Sequence, residues 1–373
     1  MDLELTLEQN ELRSLAAELL TSRVPPDVPR AYLEGGGDAG ELWSELAELG
    51  WYAVGLDEDD PFGVPGLAVL AEQLGRVLAP SVVVDAAVAA RVAAGGGEPV
   101  RAAWLERLQS VPAPVALAVA EPTAQWDLNA LETAAVGNRI SGAKIAVQHG
   151  ADVEAFAVVA SLDGAPALAF VEAGADSVEV VPEHGLDPTA RTVRLVLDDV
   201  AVADDSVVSG DVIERAFAVG AVATAAEAIG AASAALDLAV AYAKEREQFG
   251  RAIGSFQAVQ HILADAHVLR ETAWSAALYA AAALDEDAPD AAEATTVAKA
   301  YASRAARTVV QNALQVLGGI GFTWEHDLHL FLRRVLACEQ RFGDALFHER
   351  RLAAALAAHA EDHQAATTGR SLQ

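Results

Sequence analysis

The chain carries one cysteine, Cys338, in 373 residues. A lone thiol cannot form a disulfide within the chain, and a cysteine-based zinc site is excluded with it. Basic residues are scarce as well: 25 Lys and Arg stand against 54 Asp and Glu, for a formal net charge of −29. Nucleic acid is a poor partner for such a surface, because phosphate binding needs local Lys and Arg. Charges interrupt the alanine-rich stretches, so no apolar run of membrane-spanning length is expected. The acidic start, Met1-Asp-Leu-Glu-Leu5, lacks the layout of a signal peptide. A reducing, cytoplasmic setting is the expectation. No Gly-x-Ser-x-Gly elbow, Walker A loop or strand-linked Gly-x-Gly-x-x-Gly occurs, which sets aside the chemistries those loops serve.

What is present is length and apolar content, 53% hydrophobic, enough for two or three domains and a large core. Helical periodicity predicts helices over 4–22, 39–50, 66–78 and 82–95. Thr6 followed by Gln9 has the spacing of a capping box. Past Val111-Pro-Ala-Pro114 the pattern changes to short apolar or alternating runs at 115–120, 155–161, 167–172, 178–182 and 191–197, which read as strands, with a tight turn at Gly137-Asn138. From about Ser209 helices return, over 211–245, 255–283, 290–317 and 327–358, followed by a polar tail. The expected architecture is mainly α: a helical domain (1–112), a small β domain (113–208) and a C-terminal four-helix bundle with its tail (209–373).

Between the first two long C-terminal helices stands Arg246-Glu-Gln-Phe-Gly250, with Phe256-Gln257 shortly after. Helix ends leave unsatisfied backbone groups, and polar ligands dock there. A second stretch, Gln315-Val-Leu-Gly-Gly-Ile-Gly-Phe322, follows downstream. Together they closely resemble the R-x-Q-F-G…F-Q and Q-x-x-G-G segments of the flavin-dependent acyl-CoA dehydrogenases. Weaker matches lie at Glu41–Trp51, Glu72–Arg76 and in Leu186-Asp-Pro-Thr-Ala-Arg191. The resemblance covers nearly the whole chain and implies the same helical–β–helical fold. It also implies FAD as cofactor, an acyl-CoA substrate, an electron-transfer acceptor, and a homo- or hetero-oligomer. In the family these segments grip the dinucleotide half of an FAD bound mainly by a neighbouring subunit. That role carries over to Arg246, Gln248, Phe249, Gln257, Gln315, Gly318 and Gly319.

The flavin-ring side departs from the pattern. Where the family has E-P-G-x-G-S-D, this chain has Glu121-Pro-Thr-Ala-Gln-Trp-Asp127. Where it has Trp-Ile-Thr against the ring, this chain has Ala146, Val147 and Gln148, of which only Gln148 retains a donor for the flavin edge. The usual catalytic Glu falls at Phe342, and the alternative position on the preceding long helix falls at Gly220. Neither can accept a proton. Glu227, the one acid in the apolar stretch 221–236, is the substitute candidate, with Glu339 and Asp344 behind it. The bland reading of Glu227 is a carboxylate paired with a neighbouring arginine or facing solvent between helices. An anionic thioester would need a basic patch, from Lys244, Arg246 and Arg251 or from Arg333 and Arg334. His326 and His329 have a spacing possible for a metal, though capping and an interface role suit this junction better. The junction resembles that of actinobacterial members for bulky acyl-CoAs, several of them heteromeric. The readings left open are a half-site subunit, an active enzyme with a displaced base, and a non-catalytic scaffold.

Overall fold

The structure, a computed structural model, describes residues 4–57, 59–110, 115–123 and 126–370. Helix α1 (Leu7–Arg23) opens with the expected capping box: Thr6 Oγ1 accepts from Gln9 N and Gln9 Oε1 from Thr6 N. α2 (Asp27–Leu33), α3 (Gly40–Glu48), α4 (Gly63–Arg76) and α5 (Val83–Gly95) follow. Short α6 (Glu98–Val100), a π turn (Arg101–Leu105) and α7 (Glu106–Ser110) complete the helical part.

The sheet contains β1 (Ala116–Ala118), β2 (Ala134–Val136), β3 (Arg139–Val147), β4 (Ala155–Leu162), β5 (Ala165–Glu172), β6 (Val178–Pro182), β7 (Val193–Ala201) and β8 (Val207–Ser209). Its order is β6-β7-β3-β2-β4-β5-β8, and β1 and β2 share one edge of β4, both parallel to it. The sequence pattern missed β2, β3 and β8. The expected turn at Gly137-Asn138 joins β2 to β3, with Val136 paired to Arg139 and Gly137 at φ +55°. Inside the sheet Lys144 is fully buried, with Nζ 2.6 Å from Glu121 Oε1 and donating to Val119 O. Burial lowers the Lys144 ammonium to about 8 despite that partner. Burial alone would raise the Glu121 carboxyl, yet Lys144 and the Thr133 and Glu132 donors bring it below its ordinary value.

The C-terminal bundle consists of α8 (Val212–Glu245), α9 (Gln257–Asp285), α10 (Ala291–Leu317), α11 (Leu328–Gln340) and α12 (Ala345–Arg370). The single helix expected over 327–358 is two, broken where Phe342 (φ +54°) and Gly343 (φ +92°) take left-handed backbone. Tertiary contacts impose the break. Lys299 Nζ caps the end of α11 by donating to Cys338 O (2.9 Å) and Glu339 O (3.1 Å). Against expectation, α8 is long and apolar enough to span a membrane, but 94% of its most apolar stretch is buried within the protein. It is the central core helix. α4 crosses it at van der Waals distance: a Cβ on Gly230 would overlap the Glu72 carbonyl, and one on Gly75 the Glu227 carbonyl.

Candidate active site

The two motif segments meet at one end of the bundle. Ala239 and Ala243 of α8, Val310, Leu314 and Leu317 of α10, and Ile253 and Val259 around the start of α9 share one apolar cluster. Beyond it, Arg246-Glu-Gln-Phe-Gly250 folds as a small hairpin in which β9 (Glu247–Gln248) pairs with β10 (Arg251–Ala252). Phe249 and Gly250 form its two-residue turn, both at positive φ (+53° and +77°), as a type I′ turn requires. A phenylalanine at that first position stores strain, and its ring is 93% exposed. Phe256 meets it edge-on at 6.1 Å, and the Arg251 guanidinium lies 4.1 Å over Phe256. Arg246, Gln248, Gln257, Gln315 and Gly319 are exposed. Gly318 ends α10 at φ +64°, ψ −140°, a conformation open only to glycine. Lys244, Arg246 and Arg251 form no ion pair among the described residues, so this surface offers cations on a strongly acidic chain.

The position to which the resemblance assigns the base is filled by rings. Phe342 is 4% exposed, its ring 4.9 Å from Trp126 and 5.5 Å from Phe217. A Cβ added to Gly220 would lie 2.5 Å from the edge of the Phe342 ring. The two positions to which the resemblance assigns a base thus face each other across one spot, occupied here by the phenylalanine ring. His348, which the sequence pattern did not flag, holds that loop through Nε2 to Phe342 O (2.8 Å). Trp126, Phe217 and Phe342 form part of the wall of a cavity of about 360 Å³, lined as well by Arg215, Thr296 and His348.

Glu227 is no free base. Its Oε1 is 2.8 Å from Arg334 Nη1 and its Oε2 3.8 Å from Arg341 Nη1. It does not line that cavity. Arg334 also binds Asp187 Oδ2 (2.5 Å), Thr189 Oγ1 (2.6 Å) and Ala79 O (3.1 Å), while Arg341 binds Asp85. Burial opposes the charge of Arg334, but Asp187 and Glu227 more than offset it and raise its pKa. Burial raises the Asp85 carboxyl, which Arg341 counteracts. The paired reading of Glu227 is the observed one. The expected Arg333–Arg334 anion patch is absent too: Arg334 is spent inside this network, and Arg333 donates to Leu186 O and lies over Trp324. Glu339 pairs with Arg307, and Asp344 accepts from Phe347 N at the start of α12. At the histidine junction, His326 Nδ1 accepts from Leu328 N, Asp327 pairs with Arg30, and His329 packs edge-on against Trp324.

On the ring side, Ala146 sits in a bulge at φ +53°, and its N–H donates to Glu183 Oε2 (3.0 Å). The half-buried Gln148 amide has no hydrogen bond among the described residues. Gln125 and Ala124 lie outside the described residues. An indole at Trp126, packed on Phe342, replaces the small residues that would let backbone approach a ring system. Among the described residues these groups offer no flat aromatic wall for a ring system, whereas the exposed cations, amides and glycines around Phe249 are of the kinds a dinucleotide would meet.

Next to Gln148, His149 is buried against the edge of Trp43, with Nδ1 unpartnered. Burial, reinforced by Arg334, lowers its pKa to about 3, against the pull of Asp187. Burial likewise lowers His348 to about 4. Both folded values lie below the ordinary value of 6.5, so the unfolded chain binds more protons between the two. Stability therefore falls as pH drops from about 6.5 towards 4, by on the order of several kcal/mol for the two histidines together. Urea midpoints at pH 7.5 and 5 will show this loss, and a His149→Asn/His348→Asn variant will flatten it.

A helical–β–helical chain with an exposed hairpin beside a glycine-ended helix has the layout of a flavoprotein oxidoreductase scaffold. Residues 6–111 match the acyl-CoA dehydrogenase N-terminal domain, and residues 209–357 match the acyl-CoA dehydrogenase C-terminal domain. The acyl-CoA dehydrogenase IpdE2 of Mycolicibacterium smegmatis is 30% identical over 356 residues, covering 93% of this chain and 98% of IpdE2. FadE34 of Mycobacterium tuberculosis is 35% identical over 343 residues, 86% of this chain, but the alignment spans only 43% of FadE34. Among solved structures, the ChsE4–ChsE5 complex from Mycobacterium tuberculosis superposes with a TM-score of 0.86 at 27% identity, covering 96% of this chain and 99% of that one. The chain belongs to the acyl-CoA dehydrogenase family.

Proposed function

We propose that this chain is the base-less subunit of a two-component, FAD-dependent acyl-CoA dehydrogenase, one that completes the nucleotide end of a flavin site on a neighbouring chain. The observation that carries this reading is the contrast between two regions of one molecule. At Phe249 the backbone holds a strained, exposed aromatic among exposed amides and cations that form no ion pair among the described residues. At Phe342 a buried ring fills the place of the base. The ChsE4–ChsE5 neighbour, itself a complex of two named chains, supports the reading.

In α,β-desaturation a carboxylate removes the α proton while hydride leaves the β carbon. The flavin, when bound, supplies the hydride acceptor. This chain's part is to hold charge and orientation. Arg246 and the hairpin N–H groups would meet the pyrophosphate, and Gln257 and Gln315 would offer amides to its edges. Gly319 would admit its backbone closely. On this reading the proton acceptor comes from the partner, because the Phe342 side chain has no basic group, Gly220 has no side chain and Glu227 is held by two arginines.

The test uses the complex with a related chain whose Glu-Pro-Gly-x-Gly-Ser stretch is intact. Arg246→Ala with Gln315→Ala in this chain should lower the flavin content of the complex about tenfold or more while the two chains still co-purify. Unchanged flavin content would contradict the reading.

A further inference from the structure

A second cavity, of about 520 Å³, lies away from the rings at Phe342, where the N-terminal helices meet the bundle. Its walls come from the end of α1 (Ala17, Leu20, Val24), the turn Pro25-Pro26 with Pro29, the end of α4 (Val77, Leu78), α8 (Ala234, Leu238, Ala241) and Phe331 of α11. Protein interiors are close-packed, and this hollow exists because alanines and prolines stand where larger side chains would fill it. Leu78, buried in its wall, is held at φ +55°, a left-handed backbone that a branched side chain adopts only under constraint. The charged groups at its edge are already matched. Arg76 Nη2 lies 2.5 Å from Asp237 and its Nη1 3.4 Å from Glu72, and Arg30 Nε lies 2.8 Å from Asp327. The remaining polar side chains in the wall are Thr21 and Gln73.

We propose that this cavity is a binding site for an uncharged, largely apolar small molecule carrying at most one hydroxyl or carbonyl. Its volume falls within the range of small-molecule sites and it sits at a domain junction, where such sites concentrate. Walls with no unpaired charge give an ion nothing in exchange for its lost hydration, which selects against anions and cations alike. A neutral tail gains from burial, and its single polar atom is within the chemistry of Thr21 or Gln73. The site spans α1, α4, α8 and α11, so an occupant would tie the N-terminal helices to the bundle. It is independent of the flavin reading.

The experiment uses the full chain and three probes of equal tail length: 1-octanol, octanoate and octyltrimethylammonium. Calorimetric titration is expected to show octanol binding, with both charged probes about tenfold weaker or more, and saturating octanol should raise the melting temperature by about 2 °C. Ala241→Trp places an indole at the exposed rim. It should leave the fold intact by circular dichroism and weaken octanol about tenfold or more. Ala17→Phe, which fills the hollow from α1, should do the same. Failure of octanol to bind up to its solubility limit overturns the proposal. So does binding that both variants leave unchanged, or equal binding of octanoate. A rim variant that splits an oligomer while octanol stays unbound would also overturn it and assign the face to a protein partner.

Discussion

Replacing Arg334 with methionine should cost on the order of 3–5 kcal/mol, the price of leaving buried carboxylates without their cation. Arg334 is buried, with Nε on Asp187 of the β part, Nη1 on Glu227 of α8, and Nη2 on Ala79 O beyond α4 and on Thr189. One guanidinium thus satisfies groups from all three parts of the chain. The methionine keeps much of the volume, so the loss reports on charge and hydrogen bonding rather than on a void. It should also change the shape of unfolding. In the parent, scanning calorimetry should give one cooperative transition. In the variant, the β part should separate from the bundle, and the transition should broaden or split. Glu227→Gln is the control: it keeps a hydrogen-bond acceptor towards Arg334 and should cost less than half as much. A single transition for Arg334→Met, within about 2 °C of the parent, would refute the coupling.

Alanine at Gly230 should be nearly as damaging, by about 3 kcal/mol or more. Alanine is the best helix former, so on propensity alone the change should stabilise α8. The crossing with α4 decides otherwise, because the added methyl would overlap the Glu72 carbonyl, a rigid backbone atom. Gly75→Ala does the same from the other side against the Glu227 carbonyl. Because both changes force the same two helices apart, the double variant should cost less than the sum of the singles. Urea denaturation of the three variants measures this. Stabilisation by Gly230→Ala would mean that the crossing is looser than described.

Much of this architecture was legible because it is written locally. The capping box at Thr6 and Gln9, the Gly137-Asn138 turn and the long helices of the bundle follow from neighbours a few positions apart. The hairpin at Phe249 was visible as a motif, though its left-handed phenylalanine was not. What stayed hidden depends on distant partners. The helix expected over 327–358 runs straight through Arg341-Phe-Gly-Asp344, where Gly343 is the one local sign of the break between α11 and α12. It comes from Lys299, which caps Cys338 and Glu339 from 39 and 40 positions away, and from the backbone contact of His348. Glu227 looked like a base candidate because it is the lone acid in an apolar stretch. The arginine that holds it lies 107 positions later. Arg334 next to Arg333 looked like a basic surface pair, and only the fold turns one inward and leaves the other out. Trp126 stood out in sequence where the resemblance expects glycine and serine, and its packing on the Phe342 ring, 216 positions away, depends on the fold.

The central claim is that this molecule lends a nucleotide grip and no base. The most direct measurement is anaerobic titration of acyl-CoA into protein purified in two ways: this chain alone with excess FAD, and the chain co-expressed with a related subunit that carries a carboxylate at the position of Phe342. The account predicts that the chain alone stays colourless, or holds flavin that acyl-CoA does not bleach, and that the co-expressed complex is yellow and bleaches. Bleaching by the chain alone would contradict it.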